Sequence, residues 1–218
     1  MLELLSQFLP AFLSGLLVNF EMAICALLGG VLLGAPLAAA RFRNKLAAVP
    51  AAWLVAVLRT VPTMVMMFFL VNVVPASFSV GSWRWSMTPW LAVMVSLMLY
   101  AAAYVSDNAV EAMRQLRSGS PVAAMLFLMG LARTFLVMVL SSGFGAAVGV
   151  VEAVAVTMRA IDTLPKASDK LLLIGLVIVM FTVFFQVLYH AIERLRGKLD
   201  QRHYRPQRAY RLSGNRQP

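Results

Sequence analysis

The sequence predicts an all-α membrane protein that crosses the bilayer about five times, and three observations lead there. Of 218 residues, 61% are hydrophobic and only 13% charged, where a soluble domain carries about a quarter charged. The apolar residues form unbroken runs near the roughly 20 residues that a helical span needs, whereas a membrane β-barrel would alternate polar and apolar positions. The basic residues alternate in density from loop to loop, as the positive-inside rule requires of a polytopic protein.

The elements follow in order. Residues 1–14, with Glu3, Gln7 and Pro10, read as a short interfacial helix. Span one runs from Gly15 to Ala40 and ends at the basic loop Arg41 to Lys45. Span two runs from Pro50 to Val74. The loop from Pro75 to Pro89 precedes Trp90 and contains Trp83 and Trp85, an interfacial aromatic signature. Span three runs from Leu91 to Ser106, before a polar stretch from Asp107 to Ser120. Span four lies within Pro121 to Val156, too long for one straight crossing, so part of it is tilted or re-entrant. A polar loop around Pro165 leads to span five, Leu171 to His190. Residues 1–195 thus make a transmembrane domain, and 196–218 a basic tail.

Five spans put the termini on opposite faces. One set of loops plus the tail holds Arg41, Arg43, Lys45, Arg114, Arg117 and eight Lys/Arg from Arg194 onward; the other holds Arg84, Arg159, Lys166 and Lys170. The N-terminus is therefore expected outside and the C-terminus in the cytoplasm. The net charge of +10 fits a tail against an anionic leaflet rather than nucleic acid. The start of the chain lacks a basic n-region, so no cleavable signal peptide is expected. The lone Cys25 reads as a small buried hydrophobe. Of the fourteen methionines, the close set Met64, Met66 and Met67 lacks the Cys or His neighbours of a soft-metal path. No metal-ligand spacing, phosphate loop or catalytic triad appears, and an enzyme is not expected.

Polar residues inside apolar runs are the candidate sites, because charge in a span is costly. Arg59 binds a substrate carboxylate bidentately, pairs with Glu21 or Asp107, or snorkels to the cytoplasmic side. Thr60 and Pro62 mark a local helix break that can line a cavity. Glu21 either attracts a cation or makes a structural hydrogen bond. Asp107 and Glu111 lie one turn apart, as at a solvated helix end. Glu152 either recognises a cation or pairs with Arg159, seven residues on. Arg133 is a possible counter-charge for Asp107 or Glu111. His190 reads as interfacial.

Four blocks resemble the polar-amino-acid family of ABC importer permeases. Val18-Asn19-Phe20-Glu21 resembles its V-T-L-E/Q opening, and Arg59-Thr60-Val61-Pro62 its R-G-T-P. Ala102-Ala103-Tyr104-Val105-Ser106-Asp107 resembles G-A-Y-x-A/T-E, and Val148-Gly149-Val150-Val151-Glu152 resembles I-G-V-P-E. The resemblance implies a type I importer permease in the bacterial inner membrane. A second, homologous or identical permease completes the pore, a separate ATPase dimer supplies ATP and magnesium, and a periplasmic binding protein delivers substrate. Aligned backwards from Gly149, Ser141-Ser142 falls on the family's D-T/S pair, which adds Ser142 to the pore candidates.

The family's E-A-A-x-x-x-G coupling loop is degenerate or deleted here: aligned backwards from Gly149, roughly twenty residues are missing at the loop itself. Following Gly119, Val122 stands at its glutamate, Ala123 and Ala124 at its alanines, and Gly130 falls two residues late. The expected function is a permease subunit for a polar or charged amino acid or related molecule. The alternative is a non-transporting accessory or regulatory subunit that reuses the scaffold without direct ATPase coupling. A secondary carrier is disfavoured by the lack of an inverted repeat.

Overall fold

The structure is a computed structural model and describes residues 2–43, 45–75, 77–119 and 123–213. In order these form α1 (Leu2–Arg43), α2 (Lys45–Thr60), α3 (Thr63–Val73), strands β1 (Ser77–Val80) and β2 (Trp83–Ser86), α4 (Pro89–Arg117), α5 (Ala123–Ser142), a 3-10 segment (Gly143–Val148), α6 (Ala153–Asp162) and α7 (Ala167–Ser213). Four stretches are long and apolar enough to cross a membrane: Ser6–Arg43, Pro89–Arg117, Ala123–Val148 and Ala167–Arg194. Helices α2 and α3, bent by 89° at the break between them, make a fifth only if the pair is counted as one span.

Several boundaries differ from the sequence expectation. Residues 2–14 are not a separate interfacial helix but the first turns of α1. Pro10 removes one rung and tends to kink rather than stop a helix whose flanking turns are held. Phe8, Phe12 and Leu16, on either side of it, are buried in a cluster with Ala153, Leu173 and Val177. Span two is not one rod. Pro62 cannot donate to the ladder, and it keeps Val61 from continuing the helix comfortably. Helix α2 closes with Val61 N–H to Val57 O at 3.3 Å, Pro62 sits at φ −60°, ψ 129°, and Met66 N–H to Pro62 O opens α3.

The loop after α3 is an antiparallel hairpin in the register Ser77↔Ser86 to Val80↔Trp83. It turns at Gly81, whose φ of 63° suits glycine. Span three does not stop at Ser106: Thr88 caps the start of α4 by accepting from Leu91 N–H, and the helix runs on to Arg117. There the Arg117 guanidinium lies 4.1 Å from the centre of the Phe42 ring, tying the ends of α4 and α1 together. Span four is broken after Ser142. Helix α7 continues past the expected end of span five without a break, through the start of the basic tail.

The core forms around α1 and α4. Ala101, Ala102 and Ala103 are fully buried opposite Gly30 and Gly34, spaced as in small-xxx-small packing. A Cβ on Gly30 would stand 2.4 Å from Ala101 Cβ, and one on Gly34 2.5 Å from the Ala102 carbonyl oxygen. Met22, Met67, Leu97 and Met138 fill the space between α1, α3, α4 and α5, where flexible thioethers suit irregular gaps.

Gly34→Val should therefore cost about 3 kcal/mol by overpacking against backbone. Gly175→Ala in α7, where nothing lies within 4 Å, should be neutral or slightly stabilising. Thermal melting in detergent measures both.

Candidate functional site

The break after Ser142 is where polar groups gather. Gly149 takes φ 97°, closing the 3-10 segment, and the Val150 N–H reaches back to the Gly145 carbonyl at 2.9 Å. The chain then re-enters a helix at Glu152, which is fully buried. Its carboxylate caps α6: Oε2 accepts from Val154 N–H at 2.9 Å and Oε1 from Ala155 N–H at 3.0 Å. Asn19, from the middle of α1, closes the arrangement. Its Nδ2 donates to Glu152 Oε2 at 3.0 Å and to Ser142 Oγ at 2.8 Å, and its Oδ1 accepts from Ala153 N–H at 3.2 Å. Ser142 in turn donates to the Val139 carbonyl at 2.7 Å. Gly15, one turn before Asn19, is what admits this approach, since a Cβ there would lie 2.7 Å from the Glu152–Ala153 peptide.

Of the residues picked from sequence, Ser142 and Glu152 thus meet in one buried node. Asn19 is their common partner, and in the sequence it stands out only within the Val18-Asn19-Phe20-Glu21 block. An amide in an apolar span two residues from Glu21 was the available signal. Glu152 does not pair with Arg159, because its oxygens are taken by α6 and Asn19.

Arg59 and Asp107 meet in a second polar centre. Arg41 Nη1 lies 2.6 Å from Asp107 Oδ1 and donates to Ser106 Oγ at 3.0 Å; Arg59 Nη1 lies 3.3 Å from Asp107 Oδ2. One carboxylate therefore joins the ends of α1 and α2 to the middle of α4. Arg59 remains 57% exposed, against 21% for Arg41, so Arg41 carries the tighter contact. Asp107 is a shared counter-charge, and Arg133 does not serve it. Thr60 donates to the Val57 carbonyl at 3.0 Å, one turn before the bend at Pro62.

The remaining candidates lie apart from these centres. Glu21 points outward from α1 on an exposed stripe with Leu17, Ile24 and Leu28. Gly119 takes φ 77° after the Ser118 cap of α4. Ala123 is fully buried at the start of α5, and Ala124 is exposed. Val122 lies outside the described residues. Among the described residues no group of three His, Cys, Asp or Glu side chains assembles as a metal site would.

A cavity of about 520 Å³ opens between the first half of α1 and α6. Gln7, Ala11, Ser14, Gly15, Arg159 and Thr163 are among its lining residues. Its floor is the close approach of Gly15 to the Glu152 node.

No protein-family model matches the sequence, and no curated protein does. Solved structures do match the fold. A chain of an amino acid ABC transporter with histidines superposes with a TM-score of 0.66 at 18% identity, covering 87% of this chain and 96% of that one. A chain of the MetNI methionine ABC transporter in inward-facing conformations superposes with a TM-score of 0.60 at 16% identity, with the same coverage. The likeness shows that this chain shares its fold with these two ABC transporter chains over 87% of its length.

Asn19→Ala should strand the Ala153 N–H and cost about 2–3 kcal/mol. Ser142→Ala should cost less, because Asn19 keeps Glu152. At the second centre, Arg59→Ala should cost under about 1 kcal/mol and Arg41→Ala clearly more. Melting temperatures in detergent rank all four.

Proposed function

We propose that this chain is a membrane-spanning permease subunit of an ABC importer for a polar or charged amino acid or a related small molecule. The observation that carries the reading is the extent of the structural likeness: 96% of each neighbouring chain and 87% of this one are covered. A shared hairpin or helix pair would not support it in the same way.

On this reading a second permease, homologous or identical, completes the pore. A separate ATPase dimer binds ATP and magnesium and drives the cycle, and an extracytoplasmic binding protein delivers the substrate. The chain sits in a bacterial inner membrane, N-terminus outside and C-terminus in the cytoplasm, with Arg41, Arg114 and Arg117 on the cytoplasmic side. The exposed apolar side chains of α7 (Leu171, Leu172, Ile178, Val179, Val183 and Val187) and of α2 (Leu46, Val49 and Trp53) support burial in lipid or against another subunit.

One observation favours the accessory reading. Helix α4 ends at Arg117 and α5 begins at Ala123. That connection is too short for a helix that docks on an ATPase, which supports a degenerate coupling loop.

Purification of the tagged protein from native membranes in mild detergent tests the two. The importer reading expects co-elution of a second permease and an ATPase, with hydrolysis stimulated by a binding protein. Elution without hydrolysis, alone or with an unrelated partner, would move the assignment to the accessory subunit.

A further inference from the structure

Helix α7 does not end where the membrane does. Its apolar stretch runs to Arg194, yet the helix continues to Ser213. At about 1.5 Å per residue, the part from Arg194 to Ser213 reaches about 29 Å beyond that stretch. The permease reading makes no use of it.

The helical period sorts the residues of this extension. Arg194, Lys198, Arg202, Arg205 and Arg208 follow one another at steps of four, four, three and three. At 3.6 residues per turn these positions share an arc of about 120°. Leu195, Leu199, Pro206 and Tyr210 share a neighbouring arc of about 60°. Asp200, the sole acidic residue after Glu193, falls outside both arcs, and so do Arg196 and Arg211. A tail that only needs solubility has no use for such sorting. A basic arc beside an apolar one is the pattern of helices that lie against anionic bilayers.

Position along the chain selects the bilayer as the occupant. The stripe begins at Arg194, the last residue of the apolar stretch, so its first member stands at headgroup level and Lys198 follows one turn on. Lys and Arg clustered directly after a span attract anionic lipid, each strengthening association about fivefold. Gly197 lies between those first two members, and nothing stands within 4 Å of where its Cβ would be. Glycine weakens a helix locally, so the extension can lean there toward the leaflet. A nucleic acid or an acidic protein would meet only the outer part of the stripe, because its first members already stand among the headgroups.

We propose that the extension of α7 docks on anionic phospholipid headgroups of the leaflet it emerges from, through the stripe Arg194, Lys198, Arg202, Arg205 and Arg208, with the Leu195, Leu199 and Tyr210 arc entering the interface. The proposal concerns lipid rather than a transported solute, and it holds under either the importer or the accessory reading.

The test uses the full chain with Cys25→Ser and Tyr210→Cys, spin-labelled at position 210 and placed in lipid nanodiscs. One set of discs is phosphatidylcholine alone, and the other also contains phosphatidylglycerol. Collisions of the label with a lipid-soluble and a water-soluble relaxant report where it lies. With phosphatidylglycerol the label should enter the lipid phase; in phosphatidylcholine alone, or at high salt, it should stay in water. Arg202→Gln with Arg205→Gln removes two charges from the stripe and should lower the docked-to-free ratio about tenfold or more. Arg196→Gln with Arg211→Gln removes the same charge outside the stripe and should change that ratio by less than about threefold, because salt screens charges that do not face the headgroups. A label equally aqueous in both kinds of disc would overturn the proposal. Equal losses in the two double variants would overturn it as well, since net charge and not the stripe would then be acting. Withdrawal of the label from lipid by a short DNA duplex at physiological salt would reassign the stripe to nucleic acid. A label immobilised in both kinds of disc would place the extension against protein, and either of these last results also rejects lipid docking.

Discussion

A broken helix inside a membrane protein must satisfy its own backbone, and here one carboxylate does most of that. Without water, each open N–H costs several kcal/mol. The chain leaves α5 at Ser142, tightens into a 3-10 segment, and restarts a helix at Glu152. Glu152 covers two N–H groups at that restart, and Asn19 covers a third. Because Asn19 belongs to α1, the junction also fixes where α6 lies against the longest element of the core. The cavity, the close approach at Gly15 and the placement of Arg159 all follow from that single docking.

The other end of the bundle is organised by different physics. Between Gly30 and Gly34 on α1 and the alanines of α4, contact is backbone-close and needs no polar group. Lipid offers no hydrophobic drive between helices, so such close packing supplies the attraction. Beyond it, Asp107 gathers Arg41 and Arg59. The bent pair α2–α3 is held by one charge contact near its elbow, by packing of α2 on α1 and α4, where Ala51 and Val55 are buried, and by packing of α3 on α4. On its outer face Leu46, Trp53 and Val57 are left exposed.

Much of this was legible in the sequence. Continuous apolar runs gave the helical membrane class, Pro62 gave the elbow, and the length of Pro121 to Val156 gave a span that could not be straight. Asp107 was readable as a partner for Arg59 because both interrupt apolar runs. Other features were not readable. The continuity of α1 through Pro10 depends on Phe8 and Phe12 packing onto α7, which is a tertiary effect. The hairpin at Ser77–Ser86 is a short local pairing inside a stretch whose tryptophans read equally well as interfacial loop. The capping role of Glu152 is not readable because composition cannot tell a carboxylate that pairs with Arg159 from one that caps its own helix. Asn19 was overlooked because an uncharged amide adds little to a charge inventory, although it reaches three partners.

The claim that the α5–α6 junction is a closed, internally satisfied joint is open to direct measurement by hydrogen–deuterium exchange of the full chain in lipid nanodiscs. The account predicts that the amides of Ala153, Val154 and Ala155 exchange as slowly as those in the buried middle of α4 around Ala102. Exchange at those three positions as fast as at the Gly81 turn would contradict it, and with it the placement of α6, the cavity and Arg159.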